Sequence, residues 1–480
     1  MKKQKLLQNE CAQSLTILFD WNRENFAETG KRGSYFIQTF GCQQNDHDSE
    51  IAAGILEEAG FVQATSIEEA DIALFNTCSV RANADDRFFG HVGRLKPIKR
   101  EGKPIIGVFG CMMEQKIHRD VIFESFSHVD FLLGAGAMEL LPYALTEVIQ
   151  GSRGKRTLDL THQATDVFGE GMPVKRERGH RALITIMTGC NNFCSYCIVP
   201  YTRGREKSRS YDDIMKEARK AVGEGAQEIM LLGQNVNSYG NDLRKLKQAS
   251  PSFAKLLRDV SEIENLGIVR YMTSHPKDLS DELIDTIGRY PVIEPHIHLP
   301  LQSGSDVILK KMNRRYTAEH YLELVEKLRL SRPGITLTTD LIVGYPGETE
   351  EDFRATLALM ETVRFDAAFT FFYSPRIGTP AADIYEEEEQ AQVKERFERL
   401  VRLQNDISFE SNQQLIGDTV DVLIDGPSRR DPDILSGRTR DDRLVNVSTA
   451  IMTTGQNRKG QFIPVKIEKA GSFSLEGTAL

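Results

Sequence analysis

The stretch RALITIMTGCNNFCSYC, residues 181–197, joins a short apolar run to three closely spaced cysteines. The apolar run has the length and the β-branched content of a buried strand. Five further apolar runs follow it, and amphipathic segments such as 211–222, 253–263 and 318–330 separate them. Strands that alternate with helices form parallel βα units. Six such units predict a partial (βα)6 barrel over residues 181–410, with its working face at the carboxyl ends of the strands.

The same alternation occurs upstream, in residues 33–150. The apolar runs SYFIQTF, ADIALFN, PIIGVFG and VDFLLGA alternate with helix-like segments, which predicts a Rossmann-like parallel sheet. No GxGxxG dinucleotide-binding pattern follows the first run. Residues 1–32 lack a clear period and are interpreted as an extension that covers a neighbouring domain or frays. The basic residues 151–180 are interpreted as a linker.

Residues 411–477 change to alternating apolar and polar positions with Gly-Pro, Ser-Gly and Thr-Gly between the runs. This pattern predicts a small all-β barrel, so the chain as a whole is an α/β multidomain protein. From residue 411 to the last residue, nine Lys and Arg balance nine Asp and Glu, whereas the whole chain carries a net charge of -9. A nucleic-acid site must therefore be a local basic patch. The candidates in this domain are Arg429, Arg430, Arg438 and Arg440.

The composition, 40% hydrophobic and 27% charged residues over 480 positions, is that of an ordinary globular protein. No apolar run approaches the length of a membrane span and the first residues lack the pattern of a secretion signal, so we expect a cytoplasmic protein without membrane contacts. The odd number of cysteines, seven, argues against a disulfide framework. Metal ligands or reactive thiols are the alternatives.

Cys190, Cys194 and Cys197 can converge on one metal centre because they lie within eight residues. A structural zinc site normally has four ligands, and this loop offers no fourth Cys or His. Three thiolates on a 4Fe-4S cluster leave one iron open for a substrate or cofactor. An incidental group of thiols or a degenerate zinc knuckle are the competing interpretations.

Cys42, Cys78 and Cys111 each follow one of the upstream apolar runs. The carboxyl ends of parallel strands lie along one edge of a sheet, so these thiols can meet in space and form a second three-cysteine site. Three separate buried cysteines are the alternative, since a free cysteine often acts as a small hydrophobic residue. Cys11, in the extension, is assigned no role.

The Cys-x3-Cys-x2-Cys loop resembles the signature of the radical S-adenosylmethionine superfamily. That resemblance implies a 4Fe-4S cluster that chelates S-adenosylmethionine and reduces it to a 5′-deoxyadenosyl radical. Two cysteine triads and a TRAM-like β domain together resemble the methylthiotransferase family over residues 34–475. The segments TFGCQQNDHDSE, GCNNFCSYCIVPYTRGREKSR and TTDLIVGYPGET look most like the tRNA-2-methylthio-N6-dimethylallyladenosine synthase branch, although Gln44 stands where methionine is expected.

The resemblance implies methylthiolation of carbon 2 of N6-dimethylallyladenosine at position 37 in tRNA anticodon loops. It also implies two 4Fe-4S clusters, two S-adenosylmethionine molecules per turnover, an electron donor such as flavodoxin or ferredoxin, and a possible sulfur donor. Two rival functions stay open. One is a sister enzyme that acts on threonylcarbamoyl-adenosine or on a ribosomal protein, and the other is a non-catalytic RNA-binding protein with structural metals.

Polar residues and glycine at the ends of the predicted barrel strands are candidates for S-adenosylmethionine binding. They compete with the simpler role of helix caps. Tyr196 lies between two predicted ligands, where the resemblance suggests contact with adenine and packing is the alternative. The remaining candidates are Gln234, Ser274, Gln302, Asp340 and Gly344.

Four cations follow the cysteine loop and could bind anticodon-loop phosphates, although a solvated surface is the usual place for such charges. They are Arg203, Arg205, Lys207 and Arg209. His296 and His298 alternate along one predicted strand, and we interpret them as buried or capping residues rather than metal ligands.

Overall fold

A computed structural model describes residues 2–79, 82–99, 103–151, 157–161, 171–248, 250–386, 390–428, 430–448 and 458–480. The chain divides into two compact units. The first consists of Met1–Glu177 with Thr188–Cys190 and Ile198–Arg205, and the second of Arg178–Met187, Asn191–Cys197 and Glu206–Leu480. None of the helices in these described ranges is long and apolar enough to cross a membrane.

The first unit contains a six-stranded sheet in which every neighbouring pair is parallel. Its strands are β1 (Ser34–Thr39), β2 (Val62–Gln63), β3 (Ile72–Thr77), β4 (Ile105–Gly110), β5 (Phe131–Leu133) and β6 (Leu158–Leu160). Its longer helices are α1 (Lys2–Thr29), α2 (Gln43–Glu58), α3 (Ala82–Gly93), α4 (Lys116–Ser125) and α5 (Leu141–Ile149). The order β2-β1-β3-β4-β5-β6 is that of a doubly wound sheet of the flavodoxin type, which confirms the predicted parallel architecture.

Alternate residues of the central strands face opposite sides of this sheet, and both sides are buried. Leu74 and Phe109 belong to one hydrophobic cluster, whereas their neighbours Phe75 and Val108 belong to the other. Burial on both faces explains why these strands read as continuous apolar runs.

Residues 1–32, for which the sequence predicted an extension that covers a neighbouring domain or frays, contain the regular helix α1. Leu18 of α1 is fully buried, and the Trp21 ring stacks on Phe61 with 5.9 Å between centroids. The Asn22 side chain accepts a hydrogen bond from the Gly33 amide at 2.7 Å. The helix therefore belongs to the core of the first unit.

The predicted linker, residues 151–180, is also partly structured. β6 lies inside it and pairs with β5, so the sheet extends about ten residues beyond the expected end at residue 150. Pro173 and Val174 pack against α2, where a Cβ added to Gly54 would lie 2.4 Å from the Pro173 carbonyl oxygen.

The second unit begins with the predicted barrel. Its strands are β7 (Arg181–Thr185), β8 (Met187–Thr188), β9 (Lys207–Ser208), β10 (Glu228–Leu232), β11 (Ile268–Met272), β12 (His296–His298), β13 (Thr336–Val343) and β14 (Ala367–Phe372). The helices between and after them are α6 (Val199–Thr202, in the first unit), α7 (Tyr211–Gly223), α8 (Asn241–Lys245), α9 (Phe253–Ser261), α10 (Asp281–Arg289), α11 (Asp306–Lys311), α12 (Ala318–Ser331), α13 (Glu350–Val363), α14 (Pro380–Asp383) and α15 (Gln390–Gln413).

Six of these strands form the barrel wall, as the six apolar runs predict. β7, β10 and β11 pair in parallel in chain order, and so do β12, β13 and β14. A parallel bridge between Val269 and Ile293 connects the two halves. Most of the helices that cover the wall begin with a hydroxyl side chain that accepts a hydrogen bond from the first turn, a local signal that fixes the helix starts. These capping residues are Ser210, Ser252, Ser280, Ser305, Thr317 and Thr349.

The carboxyl-terminal strands form a closed five-stranded barrel, which confirms the predicted small all-β domain. They are β15 (Thr419–Pro427), β16 (Ile434–Thr439), β17 (Leu444–Ser448), β18 (Phe462–Ala470) and β19 (Leu475–Ala479). The order is β15-β16-β17-β19-β18, and only the β17–β19 pair is parallel.

A buried arginine connects the two barrels of this unit. Arg270 of β11 is fully buried and pairs with Glu228 at 3.1 Å and with Glu294 at 3.0 Å. Its guanidinium also donates hydrogen bonds to the carbonyl oxygens of Thr439 and Arg440, at 2.8 and 3.0 Å, in the turn after β16. The turn of the small barrel is thus fixed to the wall of the large one by a charged network.

Candidate cluster and cofactor sites

Three predicted cysteine ligands lie at adjoining strand ends of the parallel sheet. In the order β2-β1-β3-β4 the strand order reverses between β1 and β3, because β2 and β3 lie on opposite sides of β1; this is the position at which doubly wound sheets bind ligands. Cys42 comes shortly after β1, Cys78 directly after β3 and Cys111 directly after β4. Thr77 and Gly110 are register partners, so the last two cysteines leave neighbouring strands, about 4.8 Å apart, at the same level.

Glycines allow these strand ends to pack closely. Gly41 has a φ of +146°, and an added Cβ would lie 2.9 Å from the Cys78 Cβ. Gly110 has a φ of +106°, and its added Cβ would lie 2.5 Å from the Thr77 carbonyl oxygen. Any larger residue would push the cysteine-bearing turns apart.

Asn45 ties the first two turns together. Its side-chain amide donates hydrogen bonds to the carbonyl oxygens of Phe40, at 3.1 Å, and Thr77, at 2.8 Å. Its side-chain oxygen lies 3.5 Å from the Cys42 sulfur, which donates to it. The sequence motif that contains Cys42 thus also supplies the group that orients the turn.

Arg203 reaches the same site from the segment after the cysteine loop. Its side chain is only 3% exposed, and Nη2 lies 3.1 Å from the Asp48 carboxylate. Nε donates a hydrogen bond to the Cys111 sulfur at 2.9 Å. Burial raises the pKa of Cys111 to about 12, and the Arg203 guanidinium opposes that rise. The prediction that Arg203 binds RNA phosphates is therefore wrong, because its charge is buried beside a predicted ligand.

The loop with Cys194 and Cys197 is held by the segment after α11. The Ser195 amide donates to the Met312 carbonyl oxygen at 3.1 Å, and the Asn313 side chain donates to the Phe193 carbonyl oxygen at 2.8 Å. These bonds fix the loop backbone, including Phe193, whose φ is +49°.

Arg314 is a second buried arginine beside a predicted ligand. Its Nη1 lies 3.5 Å from the Cys194 sulfur, and Nη2 donates to the Pro300 carbonyl oxygen at 2.7 Å. Nε donates to the Tyr316 hydroxyl at 2.9 Å. Sequence reasoning missed this residue, because Arg314 is separated from Cys194 by 120 positions.

The turn before Cys190 depends on a glycine. Gly189 has a φ of +72°, and an added Cβ would lie 2.1 Å from the Arg205 carbonyl oxygen. The Cys190 amide donates to the Gly204 carbonyl oxygen at 3.1 Å. The backbone of Gly204 and Arg205, after the cysteine loop, thus packs against the turn that carries Cys190.

All six predicted ligands are thiols, the donor type of iron–sulfur clusters. Within the residues that the structure describes, no three His, Cys, Asp or Glu side chains are arranged closely around a single metal ion. The assignment of the six cysteines to two clusters stays a prediction.

The predicted cofactor residues lie at the carboxyl half of barrel strands, as expected. Gln234 follows β10 and is half-buried, while Ser274 follows β11, is buried and donates to the Asn237 side chain at 3.2 Å. Gln302 is buried with a φ of +72°. The backbone amide of Gln302 donates a hydrogen bond to the Asp340 carbonyl oxygen at 2.8 Å.

Two further candidates are in β13 or directly after it. Asp340 is inside the strand rather than beyond its end, with its carboxylate 3.5 Å from His298 Nε2. Gly344 has a φ of +76°. Its amide donates to the Glu348 carboxylate at 2.8 Å.

Tyr196 packs in an apolar cluster with Met312, Tyr345 and Tyr373. Burial raises its pKa well above the usual value. The packing role is therefore observed, and contact with adenine stays a prediction. His296 and His298 are both buried and hydrogen-bonded to Thr338, as interpreted from the sequence.

Three protein-family models match parts of the chain. The Radical SAM superfamily model matches residues 184–360, the model of uncharacterized protein family UPF0004 matches residues 34–134, and the TRAM domain model matches residues 413–480. The chain is 46% identical to tRNA-2-methylthio-N(6)-dimethylallyladenosine synthase of Carboxydothermus hydrogenoformans, over 92% of this chain and 98% of that protein. It is 45% identical to the enzyme of that name from Thermoanaerobacter pseudethanolicus, over 99% and 96% of the two chains. The chain belongs to this synthase family.

The synthase is therefore a radical enzyme that uses S-adenosylmethionine and an iron–sulfur cluster, as the cysteine loop predicts. A solved structure of the radical S-adenosylmethionine methyltransferase TsrM from Kitasatospora setae is similar in fold, with a TM-score of 0.54 and 15% identity over 73% of this chain and 77% of that one.

The basic residues predicted to bind RNA differ in their exposure to solvent. The prediction that Arg209 binds RNA phosphates is wrong, because its side chain is only 7% exposed and pairs with the carboxylates of Asp213 and Glu217. Arg205 and Lys207 are exposed.

In the TRAM domain, Arg430 is exposed. Arg438 donates to the Asp442 carbonyl oxygen at 2.7 Å, and Arg440 to the Gly267 carbonyl oxygen at 3.0 Å. Arg429 lies outside the described residues.

Proposed function

We propose that the chain replaces the hydrogen at carbon 2 of N6-dimethylallyladenosine, at position 37 of tRNA, with a methylthio group. The observation that carries this proposal is the position of three cysteine thiols at the ends of β1, β3 and β4. The relatives that match this chain over nearly their full length are synthases of that nucleoside.

Cys190, Cys194 and Cys197 would hold the radical-generating cluster. When bound, a 4Fe-4S cluster with one open iron supplies the electron that cleaves S-adenosylmethionine. Arg314 places a positive charge beside the Cys194 sulfur, which offsets the negative charge of the thiolates. The electron itself would come from a donor such as flavodoxin or ferredoxin.

Cys42, Cys78 and Cys111 would hold a second 4Fe-4S cluster, at which the transferred sulfur is presented. Arg203 donates a hydrogen bond to the Cys111 sulfur and is itself held by Asp48. Its guanidinium therefore places a fixed positive charge beside the thiol of Cys111. A second S-adenosylmethionine would methylate the sulfur, which a separate sulfur donor could replenish.

The tRNA would be bound in the cytoplasm through its phosphates. Arg205, Lys207, Arg430, Arg438 and Arg440 are the remaining candidates for this contact, and affinity should fall with rising salt. The target base must leave its stack to reach the cofactor, a step that costs least in a single-stranded loop.

The test is the iron and sulfide content of anaerobically purified protein, with electron paramagnetic resonance. We expect about eight irons per chain, and about four after replacement of either cysteine triad by alanine. Cys11→Ala is the matched control, because this half-buried helix cysteine should leave the iron content unchanged. Four irons in the wild type, lost entirely with the Cys190 triad, would contradict a second cluster.

The rival functions give different results. Zinc in place of iron, with no cleavage of S-adenosylmethionine under reducing conditions, would support a non-catalytic RNA-binding protein. A sister enzyme would cleave S-adenosylmethionine but would restore a different methylthio nucleoside, or a methylthiolated ribosomal protein, in cells that lack the chain.

A further inference from the structure

Two phenylalanine rings line the concave face of the last barrel strands. In the parallel register of β13 and β14, Asp340 faces Phe369 and Ile342 faces Phe371, so all four share one side of the sheet. The other side of β13, with residues such as Leu341, belongs to the core beneath the covering helices. The shared side is therefore the inner side of the barrel wall.

These rings are unusually exposed for inner-wall residues. Phe369 is 53% exposed and Phe371 is 46% exposed. Inner residues of a closed βα barrel are packed against one another. Among the described strands, in the order β12-β13-β14, β14 has a partner on one side only, so its inner residues face an opening in the wall.

The exposed rings border a polar strip that consists of His298 and Asp340. The Phe369 ring lies 5.7 Å from the His298 ring, centroid to centroid, and His298 Nε2 lies 3.5 Å from the Asp340 carboxylate. A ligand that covers this surface must be apolar at one end and able to hydrogen-bond at the other. A phosphate or a plain alkyl chain would match only half of it.

We propose that Phe369 and Phe371 are specificity-determining residues that contact the dimethylallyl group and the adenine ring of the substrate nucleoside. This inference rests on the proposed function and specifies its substrate contact. The nucleoside has a flat ring for stacking on an aromatic side chain, a branched five-carbon group for apolar contact, and nitrogen atoms for the polar strip. The location also agrees with the chemistry, because Phe371 lies in the carboxyl half of β14, toward the working face of the barrel, and Phe369 lies two residues before it, near the middle of the strand.

The test compares two anticodon stem-loop RNAs, one with N6-dimethylallyladenosine and one with unmodified adenosine at the target position. Their dissociation constants are measured with the reconstituted holoenzyme in the presence of S-adenosylmethionine. The wild type should bind the modified RNA about tenfold more tightly, the lower end of the selectivity that an apolar pocket can give. Phe369→Ala and Phe371→Ala should weaken binding of the modified RNA more than that of the unmodified RNA, and so remove most of that preference.

Phe372→Ala is the matched control. Phe372 is the next residue of β14, is also 46% exposed, and stacks on Phe397 of α15 at 4.0 Å, which places it on the outer side. It should keep the preference for the modified RNA. Phe371→Leu retains an apolar side chain and should keep part of the preference, which separates lost contact from a folding defect.

Three results would overturn the inference: no preference in the wild type, equal loss of affinity for both RNAs in the Phe369 and Phe371 variants, or loss of preference in Phe372→Ala. Formation of 5′-deoxyadenosine is followed in parallel samples to which a chemical reductant is added. A wild type that prefers the modified RNA but neither cleaves S-adenosylmethionine nor methylthiolates the base would contradict the proposed function and leave the binding inference standing.

Discussion

Replacement of Arg270 by methionine should destabilise the second unit strongly. The guanidinium is fully buried, and two of the carboxylates that it pairs with, Glu228 and Glu294, are each 2% exposed. Removing one partner of a buried ion pair leaves uncompensated charge and costs about 3–5 kcal/mol. Arg270→Met also removes the donors to the carbonyl oxygens of Thr439 and Arg440. We therefore expect a loss at the upper end of this range.

Urea unfolding followed by circular dichroism measures the effect. A loss of about 5 kcal/mol, divided by a denaturant slope of roughly 3 kcal/mol per molar, lowers the midpoint by roughly 1.7 M. Arg258→Met is the matched control, since Arg258 is 38% exposed and pairs with Asp259 on the surface of α9. It should leave the midpoint nearly unchanged.

The reasoning would be refuted if Arg270→Met and Arg258→Met shifted the midpoint equally. A second check adds Glu228→Gln and Glu294→Gln to the Arg270→Met variant. If uncompensated charge causes the loss, the neutral glutamines should recover part of it. No recovery would assign the loss to packing instead.

Three further predictions concern single residues. Gly189→Ala should lower the iron bound per chain, because the added Cβ would meet the Arg205 carbonyl oxygen. Gly204→Ala, at a φ of +73° with open space around it, should bind more iron than Gly189→Ala. Equal iron contents in the two variants would contradict this prediction. Burial acts to raise the pKa of Asp425, but a histidine hydrogen bond and nearby arginines outweigh it and lower the pKa to about 2. The stability that this carboxylate adds is thus present above its unfolded pKa of 3.8 and lost as the pH falls toward 2; the melting temperature of Asp425→Asn should converge with that of the wild type in this window, and a constant difference would disprove it. Arg203→Met should make the reduction potential of the proposed cluster at Cys111 more negative than Arg203→Lys does, because loss of the charge and of the sulfur hydrogen bond favours the oxidised form. A redox titration followed by electron paramagnetic resonance measures both potentials, and identical values would contradict the role of the charge.

The fold was predictable wherever the signal was local. Apolar runs separated by amphipathic segments mark every strand of the barrel wall, and hydroxyl residues mark most of the helix starts around it. The amino-terminal helix escaped prediction because its sequence is polar on average, and packing of a few residues such as Leu18 and Trp21 stabilises it.

The cysteines were predictable because both their spacing and their positions after strands are visible in the sequence. The arginines were not, since burial depends on partners that are distant along the chain. Arg203 meets Asp48 across 155 positions. For Arg209 a local signal was available, because Asp213 follows it by four residues, a spacing that often forms an ion pair.

The charged network around Arg270 limits how such proteins can exchange parts. Its arginine and two glutamates come from the large barrel, while the carbonyl groups of Thr439 and Arg440 come from the small one. A chimera that received a foreign carboxyl-terminal domain without matching acceptors in that turn would leave a buried guanidinium with unfilled hydrogen bonds. A transplant of the carboxyl-terminal domain that succeeds should therefore carry the turn with it.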